Sequence, residues 1–164
     1  ACSGIFRARW SNEIHDEWIR NLLISRPDLT AAQLQRTREL MNQAVPDSIV
    51  SGHLGIAKGL TLPDLDDAHV LAAAICSNAQ VIVTFNLKDF PNDALQPHGI
   101  EAQHPDDFVR HLISLDWGAV CGAFKRQRAS LKNPPQSAEE LLHTLERQGL
   151  VISASELRPL LELL

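Results

Sequence analysis

Apolar side chains return every third or fourth position through much of this chain, and in one place they run together. In "SNEIHDEWIRNLL", Ile14, Trp18 and Leu22 recur every fourth residue, which predicts a helix capped by Ser11 or Asn12. "TAAQLQRTRELMNQAV" predicts a second helix, capped by Thr30, with Leu34, Arg38, Met41 and Val45 roughly on one side. Pro27 separates the two. Gly52, Gly55 and Gly59 punctuate "PDSIVSGHLGIAKGLTLP", which reads as loop with one or two short strands. "DLDDAHVLAAAICSN" predicts a buried helix over about 64–78. The β-branched run "AQVIVTF" predicts a strand covered on both faces, as in a parallel sheet. A polar loop, "NLKDFPND", and a short second strand, "GIEAQH", follow. "HPDDFVRHLISL" predicts a helix with Pro105 in its first turn and Asp106 and Asp107 at its positive end.

This alternation implies an α/β layered fold. From about Asp116 the pattern is helical only. "WGAVCGAFKRQRASL" is broken by "KNPPQ", Ser137 and Glu140 form a capping box, and Ser153 and Glu156 are expected to form another for the last helix. The expected division is therefore 1–116 and a helical extension, 117–164. At 164 residues the chain suits one domain with such an appendage. No apolar run reaches the ~20 residues a membrane helix needs, so no membrane association is expected. Cys2, Cys76 and Cys121 are scattered without a CxxC pair, which argues against a disulfide framework or zinc site and suits a reducing cytoplasm. The formal net charge of -5 means that a nucleic-acid partner has to be met by local basic patches or by metal ions.

The candidate chemistry is acidic. Asp64, Asp66 and Asp67 crowd the start of the buried helix, and Asp64 and Asp67 are spaced to share a face. One such carboxylate is explained by the helix dipole. Three repel one another, and a hard cation is the economical counter-charge. Thr84, Asn86 and Asp89 follow the buried strand, where ligands collect in open α/β sheets. A polar turn is the alternative reading for Asn86 and Asp89. Glu13 and Glu17 lie one turn apart on the first helix; solvent exposure beside Arg20 or a place at the core margin are both open to them. His69, two residues after Asp67, is expected to point elsewhere, and the other histidines lack metal-ligand spacing.

"LPDLDDAHVLAAAICSNAQVIVTFNLKDF", with "SNEIHDEWIRNL" before it and "GIEAQHPDDFVRHL" after it, resembles the PIN-domain ribonucleases found as VapC-type toxins of bacterial toxin–antitoxin modules. The tail resembles a helical extension of one branch of these toxins. The likeness implies a three-layer fold with a mostly parallel sheet and Mg²⁺- or Mn²⁺-dependent endoribonuclease activity. RNA would be its substrate and an antitoxin protein its partner. The family's glutamate falls on Glu17 and its mid-chain aspartate on Asp67, with Asp64 as an accessory. Its last acidic position falls on Asn86, a departure for which Asp89 can supply the charge. Glu17, Asp67 and Asn86 are thus the implied catalytic residues, and Glu17, Asp67 and Asp64 the implied metal ligands. Thr84, Lys125, Arg126 and Arg128 are candidates for binding substrate, although a solvated basic face explains the last three equally well. The family's first strand, with its aspartate, has no counterpart here. The expectation is a domain truncated at its N-terminus and catalytically incomplete as it stands, its sheet completed by a second copy or another strand. An inactive module whose acidic cleft binds a basic peptide is the competing expectation.

Overall fold

The computed structural model describes residues 4–164. Cys2 lies outside them; Cys76 and Cys121 are free thiols. β1, Trp10–Ser11, leads directly into α1, Asn12–Ser25, and the Ser11 hydroxyl caps the helix by accepting from the Ile14 amide. α2, Ala31–Ala44, opens on a capping box between Thr30 and Gln33. β2, Ile49–Val50, pairs parallel to β1, with Trp10 opposite Ile49 and Ser11 opposite Val50. A short helix, α3, Leu54–Ala57, occupies part of the stretch expected to be loop. Gly52 makes the positive-φ turn just ahead of it, so a glycine that reads as loop punctuation here introduces a helix.

The stretch rich in aspartate is a 3-10 turn, Leu65–Asp67, running into α4, Ala68–Cys76, whose Leu71 to Ala74 are all buried. Asn78 ends the helix in the left-handed region. β3, Val81–Val83, and β4, Glu101–Gln103, form a second two-stranded sheet. Its bonds include Glu101 N to Gln80 O and Thr84 N to Gln103 O, both 3.0 Å. The expectation of a strand covered on both faces is corrected: Ile82 is buried but Val83 is 44% exposed. A 3-10 turn, Leu87–Asp89, and α5, Asn92–Leu95, connect the two strands.

α6, Pro105–Ser130, has Pro105 in its first turn as expected, and it is broken at Asp116, where φ is -155° and ψ is 82°. Asp116 Oδ1 accepts from Ala119 N at 2.9 Å, so the second half of α6 carries its own cap. α7, Ala138–Arg147, begins at the expected Ser137–Glu140 capping box. α8, Val151–Leu157, corrects the other expected box. It begins before Ser153, and the Ser153 hydroxyl and amide, fully buried, bond Asp106 rather than Glu156. Gly149 precedes α8 with a φ of 89°, and a Cβ there would sit 3.4 Å from the Phe85 ring. Among the described residues no helix is long and apolar enough to cross a membrane.

The chain forms two compact units. One comprises Arg7–Ile82 and Asn86–Ala102, and its core joins Leu62, Leu71, Ala74, Ile82, Phe90, Leu95 and Ile100. The other gathers Val83–Phe85 and Gln103–Leu164. Its core joins Ile113, Val120 and Phe124 of α6 to Leu141 and Leu142 of α7 and Ala154 and Leu157 of α8. The architecture is α/β, with short parallel strand pairs and a helical C-terminal region.

Candidate functional site

Two tight turns bring carboxylates together. Asp64 precedes the first 3-10 turn in an extended conformation, and its Oδ1 accepts from Asp66 N at 2.9 Å. Asp67 sits where that turn becomes α4, with helical backbone and no capping bond from its side chain. Asp89 closes the second 3-10 turn, behind β3. One oxygen from each of Asp64, Asp67 and Asp89 lies within 4.8 Å of the other two. Capping therefore accounts for Asp64 in part and not for Asp67. Asp66 is exposed and stands outside the group.

Asp67 carries the electrostatic cost. Partial burial, followed by the charges of Glu17, Asp89 and Asp64, pushes its carboxyl up from 3.8 to about 6, with His69 pulling weakly the other way. Three carboxylates held this close without a cation favour keeping a proton on one of them. The donor set is all hard oxygen, as Mg²⁺ and Mn²⁺ prefer, and it holds no thiolate or imidazole. A divalent ion fits these residues, and Asp64, Asp67 and Asp89 are those that converge closely enough to hold it.

Glu17 stands beside this group rather than inside it. Its charge acts on Asp67, while its Oε2 lies 3.2 Å from His69 Nε2. The spacing along the chain points His69 away from Asp67, and in the structure it meets Glu17 of α1. One turn earlier on α1 the motif repeats, with Glu13 Oε2 3.3 Å from Nε2 of the buried His53. Bonds from its own backbone amide and from Ser11 outweigh partial burial and, with His53 and His69 nearby, hold the Glu13 carboxyl below its usual range.

A buried polar chain fixes the opposite side of α1. Asn42 Oδ1 on α2 accepts from Trp10 Nε1 at 2.8 Å and lies 3.0 Å from His15 Nε2, and Trp18 Nε1 donates to His15 Nδ1 at 2.9 Å. The indole donor requires an unprotonated Nδ1, so the hydrogen of His15 sits on Nε2, facing Asn42. Burial lowers the pKa of His15 and keeps it neutral.

The remaining candidates divide between the two units. Asn86, beside Asp89 in sequence, donates from Nδ2 to Asp89 Oδ2. Thr84 lies in the other unit, half-buried, as do the exposed Lys125 and Arg126 on α6. Arg128 is half-buried there, and its Nε has no hydrogen-bond partner. Asp89, offered in the sequence as the charge that Asn86 lacks, joins Asp64 and Asp67, whereas the two Glu–His pairs were not anticipated. The "KDF" turn is the local signal for Asp89; the pairs have none, because their partners come from separate elements.

Comparison with known proteins gives three findings. The family model for a PIN domain matches residues 1–88, and that for a VapC50 C-terminal domain matches residues 105–159. Over 82 residues the chain is 44% identical to the "Putative ribonuclease VapC50" of Mycobacterium tuberculosis. The match covers 50% of this chain and 48% of that protein, so the chain spans about half the length of its curated relative. No solved structure matches the chain.

Proposed function

The chain belongs to the PIN-domain family, and from that premise we propose that it is a metal-dependent endoribonuclease acting as the toxin of a toxin–antitoxin module. The observation that carries this reading is the convergence of Asp64, Asp67 and Asp89 around a carboxyl pushed up to about 6. In the proposed roles Asp64, Asp67 and Asp89 hold Mg²⁺ or Mn²⁺, and Glu17 supplies a further oxygen from α1. The catalytic portion is assigned to 1–116 and the helical extension to 117–164. RNA is the substrate and an antitoxin protein the partner, in keeping with a relative named as a VapC ribonuclease. A second copy or a partner strand is proposed to extend the two-stranded sheets.

When bound, the ion would activate water and offset charge building on the phosphate oxygens. The protein's own residues do the rest. Asp67 is the carboxyl whose pKa is raised to about 6 while the three acids stand alone, and it would have to be ionised to hold the ion. Asn86 fixes Asp89 through its Nδ2 donor, a supporting role an amide performs where a carboxylate would add repulsion. The Thr84 hydroxyl is assigned to a phosphate oxygen. Lys125, Arg126 and Arg128 are assigned to the RNA backbone, where they lower the cost of bringing a polyanion to a chain of net charge -5.

The test is Asp67→Asn, measured by Mn²⁺ calorimetry and by cleavage of single-stranded RNA with Mn²⁺ or with a chelator. The wild type should bind Mn²⁺ and cleave only in its presence, and the variant should lose both while unfolding at an unchanged or higher temperature. Metal binding and cleavage indifferent to Asp67→Asn would remove the reading. One observation favours a second function. Asn86 stands where the resemblance leads one to expect an acid, which suits an inactive module whose acidic cleft receives a basic peptide. Such a module would bind an arginine-rich peptide in a salt-sensitive way and leave RNA intact with Mn²⁺ present.

A further inference from the structure

We propose that His69 is a positioning residue for Glu17: it holds one carboxylate oxygen so that the other is presented toward the acidic group of Asp64, Asp67 and Asp89. This inference rests on the metal-site reading above and goes beyond it, because His69 touches none of the proposed reacting atoms. Three observations carry it. His69 Nε2 lies 3.2 Å from Glu17 Oε2. The ring is mostly buried, with its side chain 17% exposed, and its Nδ1 is enclosed without a hydrogen-bond partner. Glu17 meanwhile contributes the largest charge effect on Asp67 of the three neighbouring carboxylates.

The chemistry of a neutral imidazole completes the argument. One ring nitrogen carries hydrogen and the other does not. A carboxylate oxygen 3.2 Å from Nε2 favours the hydrogen on that nitrogen, on the side of Glu17. A glutamate side chain has several rotatable bonds and loses freedom when it becomes a ligand. Fixing Oε2 in advance removes much of that freedom and leaves Oε1 available. A second Glu–His contact, Glu13 Oε2 to His53 Nε2 at 3.3 Å, lies one turn away on the same helix. Groups that bond a ligating carboxylate from outside are typically worth about 10–100-fold in metal affinity.

The experiment is Mn²⁺ calorimetry on the full chain at one fixed pH, with thermal unfolding of every variant in chelator. His69→Ala should weaken Mn²⁺ binding by about 10-fold or more, and His69→Gln, which keeps an N–H donor, should recover much of the loss. If His69 acts through Glu17, then His69→Ala should add nothing in a Glu17→Gln background. Wild-type Mn²⁺ affinity in His69→Ala would overturn the proposal. So would an equal loss with and without Glu17, which would mark a structural tether only. Should His69→Ala fail to fold, His69→Leu, which keeps bulk but has no donor, compared with Glu17 intact and in the Glu17→Gln background, decides in the same way. Indifference of Mn²⁺ binding to Asp67→Asn identifies a different failure, that of the metal site itself, and takes this inference with it.

Discussion

Asp106 of α6 reaches 47 residues along the chain to Ser153 of α8. Its Oδ1 accepts from the Ser153 hydroxyl at 2.6 Å and from the Ser153 amide at 2.8 Å, while Oδ2 takes the Ile152 amide at 2.8 Å. The first turn of one helix thereby satisfies the orphan donors in the first turn of another. Asp106→Ala should lower stability by about 3 kcal/mol, since it strands buried donors and removes charged hydrogen bonds. Burial raises the Asp106 carboxyl, but the Ser153 and Ile152 bonds outweigh it and leave the pKa below 3.8. The stabilisation is therefore complete above about pH 4 and lost as pH falls through the folded value. Urea titrations at pH 7 and pH 3 on wild type and Asp106→Asn should show a gap between the two proteins that narrows in acid.

Asp67 has the opposite sign. Its folded pKa of about 6 exceeds the ordinary 3.8, so the folded state binds the proton more tightly. In chelator this group costs nothing below about pH 4, and its cost grows above pH 6 to about 1–2 kcal/mol once solvent screening of a partly exposed carboxylate is allowed for. Asp67→Asn should be more stable than wild type at pH 7.5 without metal and should lose that advantage at pH 4. Melting temperatures at both values check it. An advantage that persists at pH 4 would show that relief of charge is not the cause.

His15 is fully buried and doubly bonded, and replacing it by leucine leaves the Trp18 indole without its acceptor. The expected cost is about 2–4 kcal/mol, read by urea unfolding. Because its folded pKa is lowered, stability should decline as pH falls below 6.5, where the unfolded chain gains a proton the folded chain resists. His15→Leu should lack that part of the decline.

Lys125, Arg126 and Arg128 make an electrostatic prediction. Replacing all three by glutamine should weaken RNA binding more at 50 mM than at 200 mM salt. The salt slope should become shallower by up to about 2, given roughly 0.7 per phosphate contact on a single strand. Fluorescence anisotropy with a short unstructured RNA measures it. An unchanged slope would return these residues to the role of a solvated helix face.

What the sequence disclosed was local. Ser11, Thr30 and Ser137 mark helix starts because a cap is settled within three or four residues of chain. Asp64 and Asp67 were legible as a surplus of charge for the same reason. The Ser153 box failed because a rival acceptor, Asp106, arrived from a distant helix. Nothing in the spacing announces that His69 meets Glu17, because Glu17 comes from another helix. The Glu17–His69 pair and the approach of Asp89 to Asp67 are products of packing, and no spacing rule along the chain encodes them.

Gly149 carries a consequence for genetics. Its backbone, with φ at 89°, lies where a side chain is strained, and a Cβ there would also touch the ring of Phe85. A saturation screen scored by survival or growth will therefore flag this position as strongly as the acidic ones. Solubility of the expressed product will separate them: substitutions at 149 deplete folded protein, whereas neutralising an aspartate leaves abundant protein with altered chemistry.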